Sequence, residues 1–209
     1  TAKDFSFSGT AIAKGTAVGK YPMGLKAGQF ANNNPNFNVT FAVTDGQLEI
    51  TPVTDKVTVT ITENGGKYTY DGTAKSASGY TVSISNPLYK ESDFSFSGTK
   101  VAAGTNVGTY PMGLAASQFA NNNTNFTNVE FVVNDGSLKI DPLAIDVTIT
   151  GNTDSKVYNG AEQSISGYDV EISNSLYKEA DFSFNGEAIA KGTNVGTYPM
   201  GLAEDQFSN

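Results

Sequence analysis

The sequence predicts an all-β protein made of tandem Ig-like β-sandwich repeats, each about 89 residues long. Two observations carry this prediction. A long stretch of sequence recurs at a nearly fixed interval, and short segments alternate apolar and polar residues between Gly, Asn and Asp turns. No segment has a convincing helical period, and only Ala115–Phe119 is expected to form a single helical turn. A β-grasp-like repeat with one short helix is the alternative.

The repeat is clearest in one six-residue motif. Asp4–Gly9 returns as Asp93–Gly98 and again as Asp181–Gly186. A unit of about 89 residues is too long for a solenoid repeat and has the size of a small independent domain. The spacing predicts one complete repeat at residues 53–142. Residues 1–52 are then the C-terminal part of a first repeat, and residues 143–209 the N-terminal part of a third.

Individual strands follow from period-two alternation. Val57–Thr62 and Tyr80–Ser85 alternate apolar and polar residues, which predicts strands with one buried face. Phe94 and Phe96 lie two residues apart and therefore share a face. Pro111 has no backbone N–H to donate, so its segment is expected to be an edge strand or to contain a bulge.

The segment Val129–Ile140 predicts a β-hairpin. Asp135-Gly136 is expected to form its two-residue turn, and the same pattern occurs in the first repeat at Asp45-Gly46. The turn would place apolar residues opposite each other on one face: Val133 with Leu138 and Phe131 with Ile140, and in the first repeat Val43 with Leu48 and Phe41 with Ile50.

The connections between repeats are short. Ile140–Ile145 passes from the last strand of one repeat towards the first strand of the next without a Gly/Ser-rich spacer, and Pro142 stiffens the connection. We therefore expect a semi-rigid rod to which each repeat adds roughly 30–40 Å.

Three motifs, taken in order, resemble the MBG/YDG-type repeats of bacterial surface proteins. They are Tyr70–Gly72, Gly104–Tyr110 and Asn125–Pro142. The resemblance implies a long extracellular protein, from a Gram-positive bacterium, in which such repeats form the stalk of an adhesin. No catalytic residues come with it. The pattern departs at Asn159, where the other copy has Asp71, a change that a turn tolerates.

Composition removes several classes of function. The chain has 21 acidic residues against 13 lysines and no arginine, so its net charge is −8, which disfavours nucleic-acid binding. It contains no His and no Cys, which excludes the usual catalytic triads, thiolate nucleophiles and zinc–sulfur sites. No apolar stretch approaches the roughly 18 residues of a membrane-spanning helix. We expect no enzymatic activity, no cofactor and no membrane insertion in this segment.

Two groups of polar residues are candidates for a catalytic or a metal-binding site. Glu91 and Asp93, with Glu179 and Asp181 in the next copy, are the nearest approach to a carboxylate pair, but turn capping is the favoured interpretation. Asn121–Asn125, like residues 32–36, offers oxygen ligands for Ca²⁺ but no carboxylate, so a loop held by its own side chains is favoured.

Lysines and tyrosines supply two further hypotheses. Lys90 and Lys178 recur and are candidates for isopeptide bonds with Asn, although the first copy has Thr1 at this position. Tyr68, Tyr80 and Tyr89 are candidates for stacking on sugars, and packing on a core is the simpler interpretation.

The sequence thus favours a non-enzymatic structural repeat that forms an extracellular stalk or filament on a bacterial cell surface. The alternative is an adhesin module that binds glycans or mucin weakly, gaining avidity from its tandem copies. The partial repeats would leave strand edges unpaired. We therefore expect neighbouring repeats, or neighbouring chains arranged head to tail, to complete them.

Overall fold

The computed structural model describes residues 3–209 and is all-β, which confirms the predicted fold class. Each helical segment in this range is a 3-10 turn of three residues, and no helix in the described part is long and apolar enough to span a membrane. The chain forms two compact units. One contains the residues up to Gly66, Ser76–Ala103 and Tyr110–Leu138; the other contains Lys67–Lys75, Gly104–Thr109 and Lys139–Asn209. The predicted repeat boundaries stay a prediction.

The described residues of the first, partial repeat form four short strands that pair as two antiparallel ribbons, β1 with β3 and β2 with β4. Tyr21 lies opposite Leu48 in the second ribbon. The elements are β1 Phe5–Phe7, β2 Gly19–Pro22, the 3-10 turn Ala27–Gln29, β3 Phe30–Asn32 and β4 Gln47–Ile50.

The middle repeat contains ten strands and two 3-10 turns. Its strands are β5 Val57–Glu63, β6 Gly66–Thr69, β7 Lys75–Ser78, β8 Tyr80–Ile84, β9 Phe94–Phe96, β10 Val101–Gly104, β11 Gly108–Pro111, β12 Phe119–Asn121, β13 Val129–Asn134 and β14 Ser137–Asp141. The turns are Glu91–Asp93 and Ala116–Gln118, and the second of these confirms the turn predicted within Ala115–Phe119.

Two three-stranded sheets organise this repeat, in the orders β13-β5-β8 and β11-β14-β6, with the ribbons β9-β12 and β7-β10 beside them. The strands predicted at Val57–Thr62 and Tyr80–Ser85 are confirmed as β5 and β8. Pro111 lies in β11, an edge strand as predicted. β5 pairs antiparallel with β8 but parallel with β13, so this sheet is mixed.

The predicted hairpin at Asp135-Gly136 is wrong. β13 pairs with β5 and β14 pairs with β11 and β6, so the Asp-Gly bend carries the chain from one sheet to another. A two-residue hairpin turn of type I′ needs positive φ at both central residues, and neither Asp135 nor Gly136 has it. In the first repeat β4 likewise pairs with β2 and not with the residues before Asp45-Gly46.

The apolar alternation around the bend nevertheless identified core residues. Leu138 and Ile140 are fully buried, and Phe131 packs against Phe94 and Phe119 at ring-centroid distances of 5.4 and 5.7 Å. Alternation marks the buried face of each strand, but residues that meet across two sheets alternate in the same way as residues paired within one sheet.

The third, partial repeat has the strands that open a repeat and lacks counterparts of β13 and β14 within the described chain. β15 pairs with β17, β16 with β19 and β18 with β20, all antiparallel. The elements are β15 Val147–Gly151, β16 Gln163–Ser166, β17 Tyr168–Ile172, the 3-10 turn Glu179–Asp181, β18 Ser183–Phe184, β19 Ile189–Gly192, the 3-10 turn Glu204–Gln206 and β20 Phe207–Ser208.

Candidate functional site

The connection between the first and middle repeats is held by backbone hydrogen bonds. The Val53 N–H donates to the Asn125 carbonyl at 2.8 Å, and the Thr127 N–H donates to the Val53 carbonyl at 3.1 Å. Four residues later, the Val57 N–H donates to the Asn128 carbonyl at 2.9 Å, where the parallel pairing of β5 with β13 begins. The parallel ladder therefore continues backwards through the connection, which is a structured part of the fold. We call residues 51–57 with 121–128 the joint.

Side chains tie the first repeat to the same place. The Asn125 Oδ1 accepts a 2.6 Å hydrogen bond from the backbone N–H of Val18, in the loop before β2. The Lys56 ammonium pairs with the Glu130 carboxylate at 2.6 Å, although both side chains are about half exposed and the pair contributes little. Asn125 is thus the residue through which the first repeat contacts the joint by a side-chain hydrogen bond.

The asparagine run builds the loop of the joint, as favoured from the sequence. Asn121 Oδ1 accepts from the Asn123 N–H at 2.9 Å, and Asn123 Oδ1 accepts from the Asn125 N–H at 3.0 Å. The first repeat repeats this arrangement with Asn32 and Asn34. Asparagine side chains that bond the backbone two residues ahead fix a turn without any ion. Among residues 3–209, no three or more His, Cys, Asp or Glu side chains cluster as a metal site would require.

Glu63 is a buried acid that the sequence reasoning missed. In β5 it lies on the same buried face as Val57, Val59 and Ile61, and the residue is 7% exposed. Its carboxylate accepts hydrogen bonds from the Leu114 N–H at 3.0 Å and from the Gly136 N–H at 2.5 Å. Burial raises its pKa, the bond from Gly136 opposes this, and neighbouring Asp135 raises it further. The sequence signal that could have identified it is a charged residue at a strand position where the alternation requires an apolar one.

The glutamate therefore links β5 to the backbone at Leu114, just before the second 3-10 turn, and at Gly136, between β13 and β14. In the first repeat, Asp45 accepts from the N–H groups of both Gly24 and Leu25, at 3.0 and 2.8 Å. The third repeat has Gly151 where the middle repeat has Glu63.

Of the four carboxylates weighed for catalysis, the two aspartates cap their own turns, and Glu91 and Glu179 are exposed. Asp93 Oδ2 accepts from the Lys90 N–H at 2.8 Å, and Asp181 Oδ2 accepts from the Lys178 N–H at the same distance. This is the favoured interpretation of these residues, because the side chains satisfy the first backbone donors of a 3-10 turn.

The recurring lysines are not brought into an isopeptide geometry. Lys90 is exposed and its ammonium donates to the Pro87 carbonyl, and Lys178 is exposed as well. An isopeptide bond needs a buried lysine beside an asparagine and an acid. The third position, Thr1, lies outside the described residues.

The three tyrosines have different surroundings. Tyr89 is 1% exposed and its hydroxyl donates to Asn121 Oδ1 at 2.9 Å, so burial raises its pKa. Tyr80 packs edge-on against Phe96 and Phe119, and burial raises its pKa too. Tyr68 is exposed with the Lys75 ammonium 5.7 Å above its ring, so alternation did not place it on the core.

The Tyr-Asp/Asn-Gly motif forms the same turn in both copies. Asp71 Oδ1 accepts from the Thr73 N–H at 3.0 Å, and Asn159 Oδ1 accepts from the Ala161 N–H at 3.0 Å. The following glycines, Gly72 and Gly160, have φ of 77° and 81°. Asn159 is therefore a tolerated change, as predicted. Hydrogen bonds from Lys75 and Thr73 lower the pKa of Asp71 to about 2.

Comparison with known proteins places these repeats in a family. The family model described as MBG domain matches twice, at residues 56–142 and 145–209, and the two matches together cover more than half of the chain. Searches of curated proteins and of solved structures find no match. The two matches begin just before β5 and just before β15. The chain belongs to the MBG domain family.

Proposed function

We propose that this chain is a non-enzymatic structural segment of a bacterial surface protein, a stalk that holds another region away from the cell. The joint is the observation that carries the proposal. A parallel ladder that runs from β5 back to Val53 leaves the connection between two repeats without a flexible linker, and Asn125 adds a hydrogen bond to the first repeat. Such joints are what a load-bearing array of small domains requires.

A distance measurement tests the stiffness of the joint. The chain has no cysteine, so Lys14→Cys and Lys90→Cys together place one spin label in each of the two repeats, at exposed positions. A single narrow distance distribution is expected. Insertion of Gly-Gly-Ser after Pro52 is the control and should broaden it. An equally broad distribution without the insertion would contradict the proposal.

The location is tested separately. Antibodies raised against the 209-residue chain should label intact cells of the source bacterium, and a signal confined to lysed cells would rule out a surface stalk.

A glycan-binding role is the alternative, but most of the tyrosines considered for it are not exposed. Tyr80 and Tyr89 are committed to ring packing and to a buried hydrogen bond, and of the three candidate tyrosines only Tyr68 has an exposed ring. The full chain applied to a glycan array separates the two functions. Binding that is lost in Tyr68→Ala would support the adhesin module over the stalk.

A further inference from the structure

Two long strands lie side by side through the middle repeat. β5 is followed by β6 with only Asn64-Gly65 between them, and β13 is followed by β14 with only Asp135-Gly136 between them. β5 pairs with β13 in the first sheet, and β6 is the neighbour of β14 in the second. Each long strand therefore passes from one sheet to the other, and it has the other long strand beside it in both sheets.

The two long strands have the same direction. β5 and β13 pair in parallel over six residue pairs. In the second sheet, a Cβ at Gly65, just before β6, would lie 3.3 Å from the Ser137 carbonyl oxygen at the start of β14. At the other end of these strands, the Tyr70 N–H donates to the Asp141 carbonyl at 2.9 Å. β6 and β14 therefore also advance together along the chain.

The residues that connect the middle repeat to its neighbours are bonded to this strand pair. On the N-terminal side, Val53 forms a parallel bridge with Phe126, in the loop before β13. On the C-terminal side, the Asp141 carboxylate pairs with the Lys67 ammonium of β6 at 3.2 Å, in addition to the backbone bond from Tyr70. Tension along the chain would therefore reach the strand pair directly at both ends of the repeat.

The parallel direction decides how tension acts on this pair. The chain enters the repeat through Val53 and leaves it through Asp141, so tension pulls the first long strand at its N-terminal end and the second at its C-terminal end. In parallel strands these are opposite ends of the ladder, so the strands are sheared and their hydrogen bonds share the load. An antiparallel pair would be loaded at one end, and its bonds would break one after another.

Glu63 bridges the two long strands where both leave the first sheet. Gly136 approaches β5 so closely that a Cβ there would lie 2.9 Å from the Glu63 Cβ and 3.2 Å from the Asn64 carbonyl oxygen. The Gly136 N–H donates to the Glu63 carboxylate at 2.5 Å. This side-chain bond therefore connects the two strands at the level where the backbone ladder changes from one sheet to the other.

We propose that β5 with β6 and β13 with β14 form a mechanical clamp, which resists the sliding of the two long strands when the repeat is stretched. The inference rests on the stalk proposal for the source of the tension. The clamp itself is a property of one complete repeat, because all of its contacts are made within residues 53–141.

Single-molecule pulling from two pairs of points tests the clamp. The chain has no cysteine, so DNA handles can be attached through cysteines introduced at exposed positions. Asp55→Cys with Ala144→Cys loads the two long strands at opposite ends, in shear. Asp55→Cys with Thr124→Cys loads them at the same end, so that the ladder is peeled apart.

The shear geometry should require a several-fold higher unfolding force than the peeling geometry at equal pulling speed. Forced unfolding depends on the unfolding rate and not on equilibrium stability, so the two forces can differ although the folded protein is the same. A length gain of at most about 300 Å, for the roughly 90 residues between the handles, identifies the middle repeat in the shear geometry. Equal forces in the two geometries, or a lower force in shear, would overturn the inference.

Glu63→Gln gives a second readout with the same handles. It should lower the force in shear, and it should change the peeling force less, because peeling begins at the other end of the ladder. Equal changes in the two geometries would contradict the bridge. Failure of the clamp would be distinguishable from failure of the stalk, since the spin-label distances and the labelling of intact cells do not depend on the unfolding force.

Discussion

The middle and third repeats of this chain share sequence and three equivalent strand pairings, but they differ in the strands that close a repeat. Residues 105–115 and 193–203 are identical. In the middle repeat this segment contains β11, Gly108–Pro111, paired with β14. In the third repeat the same residues, Gly196–Pro199, form no strand.

Burial follows the same division. Val59 and Ile61 of β5 are fully buried, whereas Val147 and Ile149 of β15 are only half-buried. The first repeat supplies the converse case, because it contains β4, the counterpart of β14, and there Gly19–Pro22 does form a strand. A closing strand therefore decides whether the neighbouring sequence becomes a strand and whether the opening strand becomes core.

The largest effect is expected from the matched pair of core substitutions Ile61→Ala and Ile149→Ala. Removing a fully buried isoleucine should lower the free energy of unfolding by about 2–5 kcal/mol, and removing its less buried counterpart should cost roughly half as much or less. Denaturant-dependent hydrogen exchange resolves the two repeats within one chain. Equal losses at the two sites would contradict the comparison.

Glu63 has no counterpart in the third repeat, where Gly151 is the equivalent residue, so its substitution tests a difference between the two repeats. Glu63→Gln leaves one of the two backbone N–H groups that bond the carboxylate without an acceptor, and should lower the stability of the middle repeat by about 1–3 kcal/mol. Glu49→Gln, at an exposed pair, should stay within about 0.5 kcal/mol. Hydrogen exchange of β5 is the measurement, and a loss that equals that of the control would argue against the role of Glu63.

Glu63 also predicts a pH dependence. Folding raises its pKa above the ordinary value of 4.5, so the folded chain binds more protons than the unfolded chain between these two pKa values. The contribution of Glu63 is therefore greatest below pH 4.5, and it declines as the pH rises through the raised pKa. Glu63→Gln should remove this slope from the middle repeat, and a slope that persists unchanged would assign it to other groups.

The joint should respond to Asn125→Ala. Loss of the bond to the Val18 N–H should speed hydrogen exchange of the loop before β2, by an amount that corresponds to about 1 kcal/mol. Asn36→Ala is the matched control, since Asn36 is the counterpart of Asn125 in the first repeat and its side chain makes no hydrogen bond to another described residue. Identical exchange in the two variants would show that this side chain does not tie the repeats together.

The smallest effect concerns the turns at Asp71 and Asn159. Lys75→Ala should raise the pKa of Asp71 from about 2 towards its ordinary value of 3.8, because the strongest hydrogen bond to the carboxylate is removed. Titration followed by NMR measures the shift. The exposed turn itself should persist, as the Asn159 turn does without a charge, and a collapse of this turn would contradict the interpretation.

Local pattern predicted much of this fold. Alternation identified β5 and β8 and assigned Phe131, Val133, Leu138 and Ile140 to buried faces, and Pro111 marked an edge strand. Pairing was not predictable in this way, because the parallel partner of β5 is more than sixty residues away and the Asp-Gly bend joins two sheets.

The joint was predictable only in part. The short connection with its proline was visible in the sequence, but the hydrogen bonds of Val53 with Asn125 and Thr127 depend on the loop that the asparagines form. No local pattern showed that this loop meets the connection.

The identical segments offer the most direct test of the central claim, since residues 105–115 and 193–203 have the same intrinsic exchange rates. NMR-detected amide exchange should be measured at a concentration where the chain is monomeric. If closing strands create the order, the amides of Gly108–Tyr110 should exchange at least about tenfold more slowly than those of Gly196–Tyr198. Equal rates in the two segments would contradict it.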